Sequence, residues 1–560
     1  MTAMGASARP VKVLLAVVLA AGSAGPHLGA GPAAGKVGRR PLAAVRQWQG
    51  TWWRGAVFYE IFVRSFADSN GDGIGDLRGL TAKLDYLNDG DPATTRDLGV
   101  GAIWLMPIFA SPSYHGYDVT DYEAINPQYG TLDDFTTLCT EAHGRGIRVI
   151  LDLVVNHSGS EHPWFVDSAS SPSSPHRDYY VWSPIDPGWK QPWGGSTPSW
   201  HAGPHGGYYY GIFWSGMPDL NFRSAAVRSE VKRLAALWLA RGADGFRLDA
   251  ARYLVETGAG NGQQDTPETR AYWKELSAYI RTIRPDAMLV GESWADTGVI
   301  ASYYGSSAVV AGGDGLPMCF DFPLADEIVH GVNAASGSAI AAKLAEVARR
   351  YPPGATDAPF LTNHDQVRVA TQVARAAGRL RSAAAILLTL PGSPFMYYGE
   401  EVGLENGATS GDESKRSPMP WDASSGGGFT TGSPWFPFSA GRASANVATQ
   451  IDDPSSLLAR YRALIGVRNA SPALTSGSLE VLASSQGGSA ILAFVRTSPT
   501  ERVLVVHNLG DGTTGAGPFT IAASGFDRLF GDPGVTNPSG NSSGWTLQMW
   551  PRATGIWRIH

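Results

Sequence analysis

From Ala56 onward the chain alternates two hydrophobic patterns. Short, nearly continuous apolar runs read as strands buried on both faces. Between them, apolar side chains recur every three or four positions along polar stretches, the period of an amphipathic helix. The strand-like runs are Ala56–Phe66, Gly101–Ile108, Arg148–Asn156, Gly245–Ala250, Ala287–Glu292, Leu316–Phe322, Pro359–Asn363 and Ser393–Tyr398. The helix-like stretches include Asp133–Arg145, Ala225–Arg241, Thr266–Arg284, Ile340–Arg350 and Val373–Leu390. Strand and helix in alternation predict an α/β fold with a parallel sheet. Eight strand candidates predict a closed (β/α)8 barrel, whose active site lies where the strands end.

Two regions break the alternation. Between His157 and the helix near Ala225 lie roughly sixty residues rich in Pro, Gly, Ser, Trp and Tyr, far beyond an ordinary connection, which predicts a small inserted domain beside the barrel mouth. Glu401–Gly441 is a second long Gly/Ser/Pro-rich loop, followed by a helix at Pro454–Asn469. From about Gly477 the period shortens to two. Alternating runs at Leu479–Ala483, Ala490–Thr497, Arg502–Asn508, Phe519–Ala523 and Gly555–Ile559 predict a C-terminal antiparallel β domain. The expected division is a barrel over 51–157 and 222–470, an insert over 158–221 and a β domain over 471–560.

The N-terminal residues follow another rule. Arg9 and Lys12 precede the apolar run Val13 to Ala21, and small residues follow to Gly25, which reads as a signal peptide over 1–30 with a linker over 31–50. The apolar part is too short to span a bilayer, so the expected protein is secreted and free of the membrane. With 560 residues, 43% hydrophobic and 17% charged, the chain can bury a large core. A net charge of -6 without a basic stretch argues against nucleic acid as a partner. The 18 Trp and 20 Tyr supply flat faces that suit sugar rings, although most are expected to pack the core. Cys139 and Cys319 read as separate buried thiols, with a disulfide left open by the export route.

The chemistry concentrates at Gly245-Phe246-Arg247-Leu248-Asp249-Ala250-Ala251-Arg252. Arg247 and Asp249 are two apart, so on a strand both leave the same face, and a cation and a carboxylate inside a core must be paired or used. Three further stretches place a carboxylate or imidazole at the end of a strand-like run: Asp152-Leu-Val-Val-Asn156-His157, Gly291-Glu292-Ser293-Trp294 and Thr362-Asn363-His364-Asp365. These four stretches, in this order, resemble the characteristic segments of the α-amylase family of glycoside hydrolases, and the resemblance runs from about Trp53 to the C-terminus. The segment Met217-Pro218-Asp219-Leu220-Asn221 is similar to that of the α-amylase group lying between the oligo-1,6-glucosidases and the neopullulanases.

Glycoside hydrolysis with retention needs one carboxyl to protonate the leaving oxygen and a second to attack the anomeric carbon. The resemblance implies Asp249 as nucleophile, Glu292 as acid/base and Asp365 as a ligand of sugar hydroxyls. Arg247 is expected to keep Asp249 ionised, and neighbouring carboxylates to keep Glu292 partly protonated. His157, His364 and Asp118 match sugar-binding positions of the family, and Tyr117 a stacking platform. The family's amylases often have Lys-His where this chain has Arg252-Tyr253, so their contacts beyond the cut bond, and a calcium bond made by that His, do not carry over.

Asp68-Ser-Asn70-Gly-Asp72-Gly73-Ile74-Gly75-Asp76 carries oxygen side chains at relative positions 1, 3, 5 and 9, a Gly at 6 and a backbone carbonyl at 7, as in a calcium-binding EF-hand loop; Gly79 replaces the bidentate Glu at 12. A similar loop in oligo-1,6-glucosidase relatives implies a structural Ca2+ held by Asp68, Asn70, Asp72, Ile74 and Asp76. The expected protein is thus a monomeric α-amylase acting on α-1,4 bonds of starch and maltooligosaccharides. An exo-acting α-glucosidase or oligo-1,6-glucosidase, a transglycosylase, and a catalytically dead binding barrel are the alternatives. Ala250, where the 1,6-cleaving relatives have Val, favours α-1,4 bonds.

Overall fold

The computed structural model describes residues 51–308 and 311–560. The candidate signal peptide and linker lie outside the described residues. Eight parallel strands form one sheet: β1 Phe58–Ile61, β2 Ala102–Leu105, β3 Arg148–Leu153, β4 Gly245–Leu248, β5 Met288–Gly291, β6 Met318–Phe320, β7 Thr356–Ala358 and β8 Phe395–Tyr397. The order is β7-β6-β5-β4-β3-β2-β1-β8, and a parallel bridge between Phe360 and Phe395 closes the ring. The (β/α)8 barrel expected from the alternation is therefore present.

The strands are shorter than the apolar runs that announced them. Ala56–Phe66 contains β1 and then a 3-10 turn at Val63–Ser65. The seventh strand is Thr356–Ala358 and not Pro359–Asn363: Pro359 has no N–H for a ladder, and the residues after it belong to the barrel rim. Helices follow their periodic stretches closely, including Leu132–Gly144, Ala225–Ala240, Pro267–Ile283, Ser338–Arg350 and Leu457–Ala470. The first is started by a capping box between Thr131 and Asp134, the third by Thr266 with Pro267 in its first turn.

Period two decides what fills the barrel. Phe58, Ala102, Trp104, Ile150, Met288, Val290, Met318, Phe320, Ala358, Phe360 and Phe395 form a core of their own. Their strand neighbours, such as Tyr59, Ile103, Leu151, Phe246 and Leu248, belong to the larger core beneath the helices. On β4 the inward positions are therefore Gly245 and Arg247. Gly245 is required: a Cβ there would lie 2.1 Å from the Met288 carbonyl of β5. Moving up one inward step, Glu60 on β1, Asp152 on β3 and Arg247 on β4 leave the apolar layer and begin a charged one.

The insert over 158–221 carries a helix at Pro163–Ser170 and a three-stranded antiparallel sheet of Trp182–Ser183, Trp200–Ala202 and Tyr208–Tyr210. It returns to the barrel through an antiparallel bridge between His157 and Asp219. The C-terminal region has strands at Ser478–Leu482, Ile491–Thr497, Arg502–Asn508, Thr514–Phe519, Phe526–Gly531, Ser539–Asn541, Gly544–Met549 and Thr554–Ile559, in two antiparallel sheets. The expected strand at Phe519–Ala523 is displaced: the strand is Thr514–Phe519, which ends on the first expected residue, and the next begins at Phe526. Gly544–Met549 was not among the expected strands although Trp545, Leu547 and Met549 alternate with polar residues; the Gly/Ser-rich stretch before it reads as loop. Cys139 and Cys319 are free and buried. No helix among the described residues is long and apolar enough to cross a membrane.

Candidate active site

The charged layer at the top of the barrel is built by strand register. Arg247 sits level with Asp152 on β3 and Val290 on β5, so the residues two steps beyond, Asp249 and Glu292, emerge side by side. Arg247 is 1% exposed and holds them together. Its Nη1 donates to Asp249 Oδ1 at 2.6 Å and to Asp152 Oδ1 and Oδ2 at 2.8 and 2.9 Å, while Nη2 lies 2.9 Å from Glu292 Oε2. The guanidinium also sits over Trp104, 5.3 Å from its ring centre. The Arg-x-Asp pair thus serves three carboxylates.

The backbone after Asp249 is held in an unusual conformation. Ala250 has φ of 48°, a left-handed geometry that costs an alanine about 1–3 kcal/mol, and its N–H donates to Glu292 Oε2 at 2.9 Å. The turn fixes Glu292 directly against the chain that carries Asp249.

Asp365 and His364 close the other side. His364 is buried; its Nδ1 meets Glu60 Oε1 at 2.6 Å, its Nε2 meets the Tyr117 hydroxyl at 2.6 Å, and Asp365 Oδ2 lies 3.3 Å from the same Nε2. Tyr117 donates onward to Asp152 Oδ2 at 3.2 Å and stacks on His364 with planes 15° apart. Arg416, from the long loop after β8, donates to Asp365 Oδ1 at 2.8 Å and to the His364 carbonyl at 3.2 Å. Lys415 adds a bond to the Asp365 carbonyl at 2.8 Å.

Electrostatics separate the three acids. Burial pushes Asp249 and Glu292 above ordinary carboxylate values while Arg247 pulls both down; for Glu292 the charges of Asp249 and Asp365 push further upward. The largest cause for Glu292 is burial and not its acidic neighbours, which corrects the expectation. Asp249 is likewise raised overall, since burial outweighs the Arg247 pairing that was expected to dominate. Asp365 goes the other way: burial is overcome by His364, Arg416, Arg247 and Lys415, which hold it below its ordinary value. Burial raises Asp152 to about 7 against the pull of Arg247. Burial pushes His364 down, but Asp365 and Glu60 outweigh it and hold the imidazolium above its ordinary value.

The remaining expected residues fall nearby with different surroundings. His157 is driven down to about 3 by burial and is neutral; its Nε2 donates to the Tyr117 carbonyl at 3.1 Å. Asp118 accepts from the Ser111 hydroxyl at 2.5 Å and from that of Ser113, so its carboxylate braces the loop that carries Tyr117. Glu60, Asp152 and Arg416 were not singled out as site residues. Their signal was present: Glu60 and Asp152 are carboxylates inside apolar runs, and Arg416 is a cation in the long Gly/Ser/Pro-rich loop that follows the last strand. Asp219 was likewise passed over; it joins the insert to the barrel by accepting from Asn156 Nδ2 at 3.1 Å and Ile212 N–H at 2.9 Å.

In the Asp68–Asp76 loop, side-chain oxygens accept repeatedly from the backbone two residues on. Asp68 Oδ1 takes Asn70 N–H at 2.9 Å, Asn70 Oδ1 takes Asp72 N–H at 2.8 Å, and Asp72 Oδ1 takes Ile74 N–H at 2.8 Å. Gly73 has φ of 91°, and a Cβ there would lie 1.9 Å from the Ser433 carbonyl. Asp76 caps the helix Leu77–Thr81 through Gly79 N–H at 2.7 Å and is bound by Ser69. Among the described residues no three His, Cys, Asp or Glu side chains converge as a metal-binding group. The loop's expected donors are three carboxylates, an amide and a carbonyl, all hard oxygens of the kind calcium takes.

A barrel rim with paired carboxylates on neighbouring strands suits glycoside hydrolysis. The family model "Alpha amylase, catalytic domain" matches residues 60–477, and the chain belongs to the α-amylase family. It is 42% identical over 473 residues to "Alpha-amylase 3" of Dictyoglomus thermophilum, covering 84% of this chain and 87% of that one. An oligo-1,6-glucosidase of Heyndrickxia coagulans is 32% identical over 530 residues, covering 82% and 93%. The crystal structure of an α-amylase from H.orenii superposes with a TM-score of 0.81 at 39% identity, covering 90% of this chain and all of that one.

Proposed function

We propose that the protein is a secreted α-amylase that cleaves internal α-1,4 bonds of starch and maltooligosaccharides with retention. The observation that carries the reading is the single guanidinium of Arg247 contacting both Asp249 and Glu292, which holds side by side on neighbouring strands the two carboxyls a retaining mechanism uses. Glu292, with its raised affinity for a proton, protonates the glycosidic oxygen as Asp249 attacks the anomeric carbon; the sugar–oxygen bond breaks and a covalent glycosyl-enzyme forms. Glu292, now ionised, takes a proton from water, whose oxygen displaces Asp249. Two inversions leave an α-configured product. Asp365, ionised and anchored by Arg416, binds sugar hydroxyls beside the charged His364, and neutral His157 lines the same subsite.

Calcium belongs to the proposal as a structural ion. Asp68, Asn70, Asp72 and the Ile74 carbonyl would hold it, with Asp76 beside them already committed to a helix cap. The ion would stiffen the loop where Asp68 accepts from Thr430 at 2.5 Å, tying it to the loop that delivers Arg416. The protein acts as a monomer. The oligo-1,6-glucosidase relative supports a second reading as an α-1,6-cleaving enzyme; Ala250 and Met217 favour the first.

Proton NMR of the earliest products tests the mechanism. The α anomer appears first, and Asp249→Asn releases no reducing sugar. Initial β anomer would refute the assignment of Asp249.

A further inference from the structure

The segments that follow β4 and β5 are tied to each other at three successive residues. Ala250 N–H donates to Glu292 Oε2 at 2.9 Å, Ala251 N–H donates to the Glu292 carbonyl at 3.2 Å, and Arg252 Nη1 donates to the Trp294 carbonyl. The first two ties are made by peptide groups. The third is made by a side chain, and it reaches the far side of Glu292. The Trp294 ring is stacked on Phe322 at 4.6 Å with planes 12° apart, so the residue two beyond Glu292 is held by its ring and by its carbonyl.

Arg252 can hold that carbonyl because it is itself anchored. Its Nε lies 3.0 and 3.1 Å from the two carboxylate oxygens of Asp265, its Nη2 pairs with Oδ2, and the two side chains are only 12% and 16% exposed. A planar guanidinium can face a carboxylate with one edge and a carbonyl with its remaining nitrogen. A lysine, which the family's amylases often have here, carries a single point charge and cannot present that fork. Asp265 has φ of 54°, a left-handed backbone that residues with a side chain adopt rarely and that persists where the surroundings over-determine it. They do so here: its N–H donates to the Arg252 carbonyl at 2.8 Å, its own carbonyl accepts from Arg270, and its Oδ1 accepts from the Tyr303 hydroxyl at 2.7 Å. With its guanidinium committed to Asp265 and Trp294, Arg252 braces the site from behind.

We propose that Arg252, anchored by Asp265, is a positioning residue for Glu292: it fixes the segment that carries the proton donor against the segment that carries the nucleophile, without touching sugar. The inference rests on the reading of Glu292 as acid given above. Two substrates with no sugar in the leaving group test it: phenyl α-maltoside, whose phenoxide needs the proton, and α-maltosyl fluoride, whose fluoride leaves with little help from an acid. In Arg252→Met the ratio of kcat/KM for phenyl α-maltoside to that for the fluoride falls about tenfold, because a displaced acid slows only the step that needs it. Asp265→Asn, which removes the anchoring charge, lowers the same ratio, and the double variant falls no further than Arg252→Met. A ratio within about twofold of wild type in both single variants overturns the proposal, since lost stability lowers both substrates alike and a lost sugar contact lowers neither. Losses that multiply in the double variant overturn the pairing with Asp265. If Glu292→Gln hydrolyses phenyl α-maltoside as fast as wild type, the reading of Glu292 as acid falls instead.

Discussion

Arg247→Met keeps an apolar stem and removes the guanidinium that meets Asp152, Asp249 and Glu292, whose side chains are 0%, 9% and 13% exposed. Removing one partner of a buried ion pair costs about 3–5 kcal/mol, because the charge left behind has no water to replace it. The carboxyls avoid part of this cost by taking up protons, so the penalty depends on pH. Arg247 lowers all three acids against burial, and its loss raises their folded values further above the unfolded ones. A raised carboxyl contributes stability below its unfolded value and loses it as pH rises through the folded value. The variant therefore falls further behind wild type over the interval between the wild-type folded values and its own higher ones. For Asp152, at about 7 in wild type, that interval begins near neutrality. Melting temperatures from pH 4 to 9 should show a gap that widens as pH rises. The nucleophile must be ionised to attack, so the acidic limb of kcat/KM also moves to higher pH, one unit for each ~1.4 kcal/mol of lost interaction. His364, Glu60, Tyr117 and Asp365 face the same cluster; Glu60, Tyr117 and Asp365 also lose the downward pull of Arg247, so their values rise in the same direction. A gap independent of pH, with an unmoved acidic limb, would refute the role assigned to Arg247.

Three shorter predictions follow from other parts of the molecule. Chelation lowers the melting temperature of wild type by mass action, while Asp72→Ala melts lower in calcium and hardly responds to chelator; equal melting with and without chelator, together with no calcium by elemental analysis, counts against the ion. Ala250→Val forces a β-branched side chain into the left-handed turn at φ 48° and destabilises by about 1–3 kcal/mol in chemical denaturation, while wild type cleaves maltooligosaccharides with higher kcat/KM than isomaltose; faster cleavage of isomaltose sinks the linkage assignment. Glu60→Gln removes a charge facing the His364 imidazolium, so its destabilisation is greatest between the raised Glu60 and His364 values and closes at higher pH as the imidazole becomes neutral; a pH-independent change in melting would show that the pair is not ionic.

The eight-unit alternation, the insert after His157 and the three acids of the barrel rim, two of them directly after strands, are local properties, and each was legible in the chain. Hydrophobic period reports which face a residue occupies, and the family's motifs occupy contiguous residues, so neither needs long-range information. Boundaries were less legible: Pro359–Asn363 looks like a strand from its apolar run, yet the ladder ends at Ala358, because pairing depends on which neighbour is in reach. The same limit applies at the site. Glu60 looks like an interruption of an apolar run, and only the closed ring brings it 2.6 Å from His364, which is 304 positions away. Arg247 announces a pair with Asp249, two residues on, but strand register alone puts Asp152 and Glu292 on the same guanidinium. Burial, too, belongs to the fold: it sets the direction of the Asp249 and Glu292 shifts more than the neighbours do, since the loss of water around a carboxyl is produced by the whole barrel and not by any residue beside it.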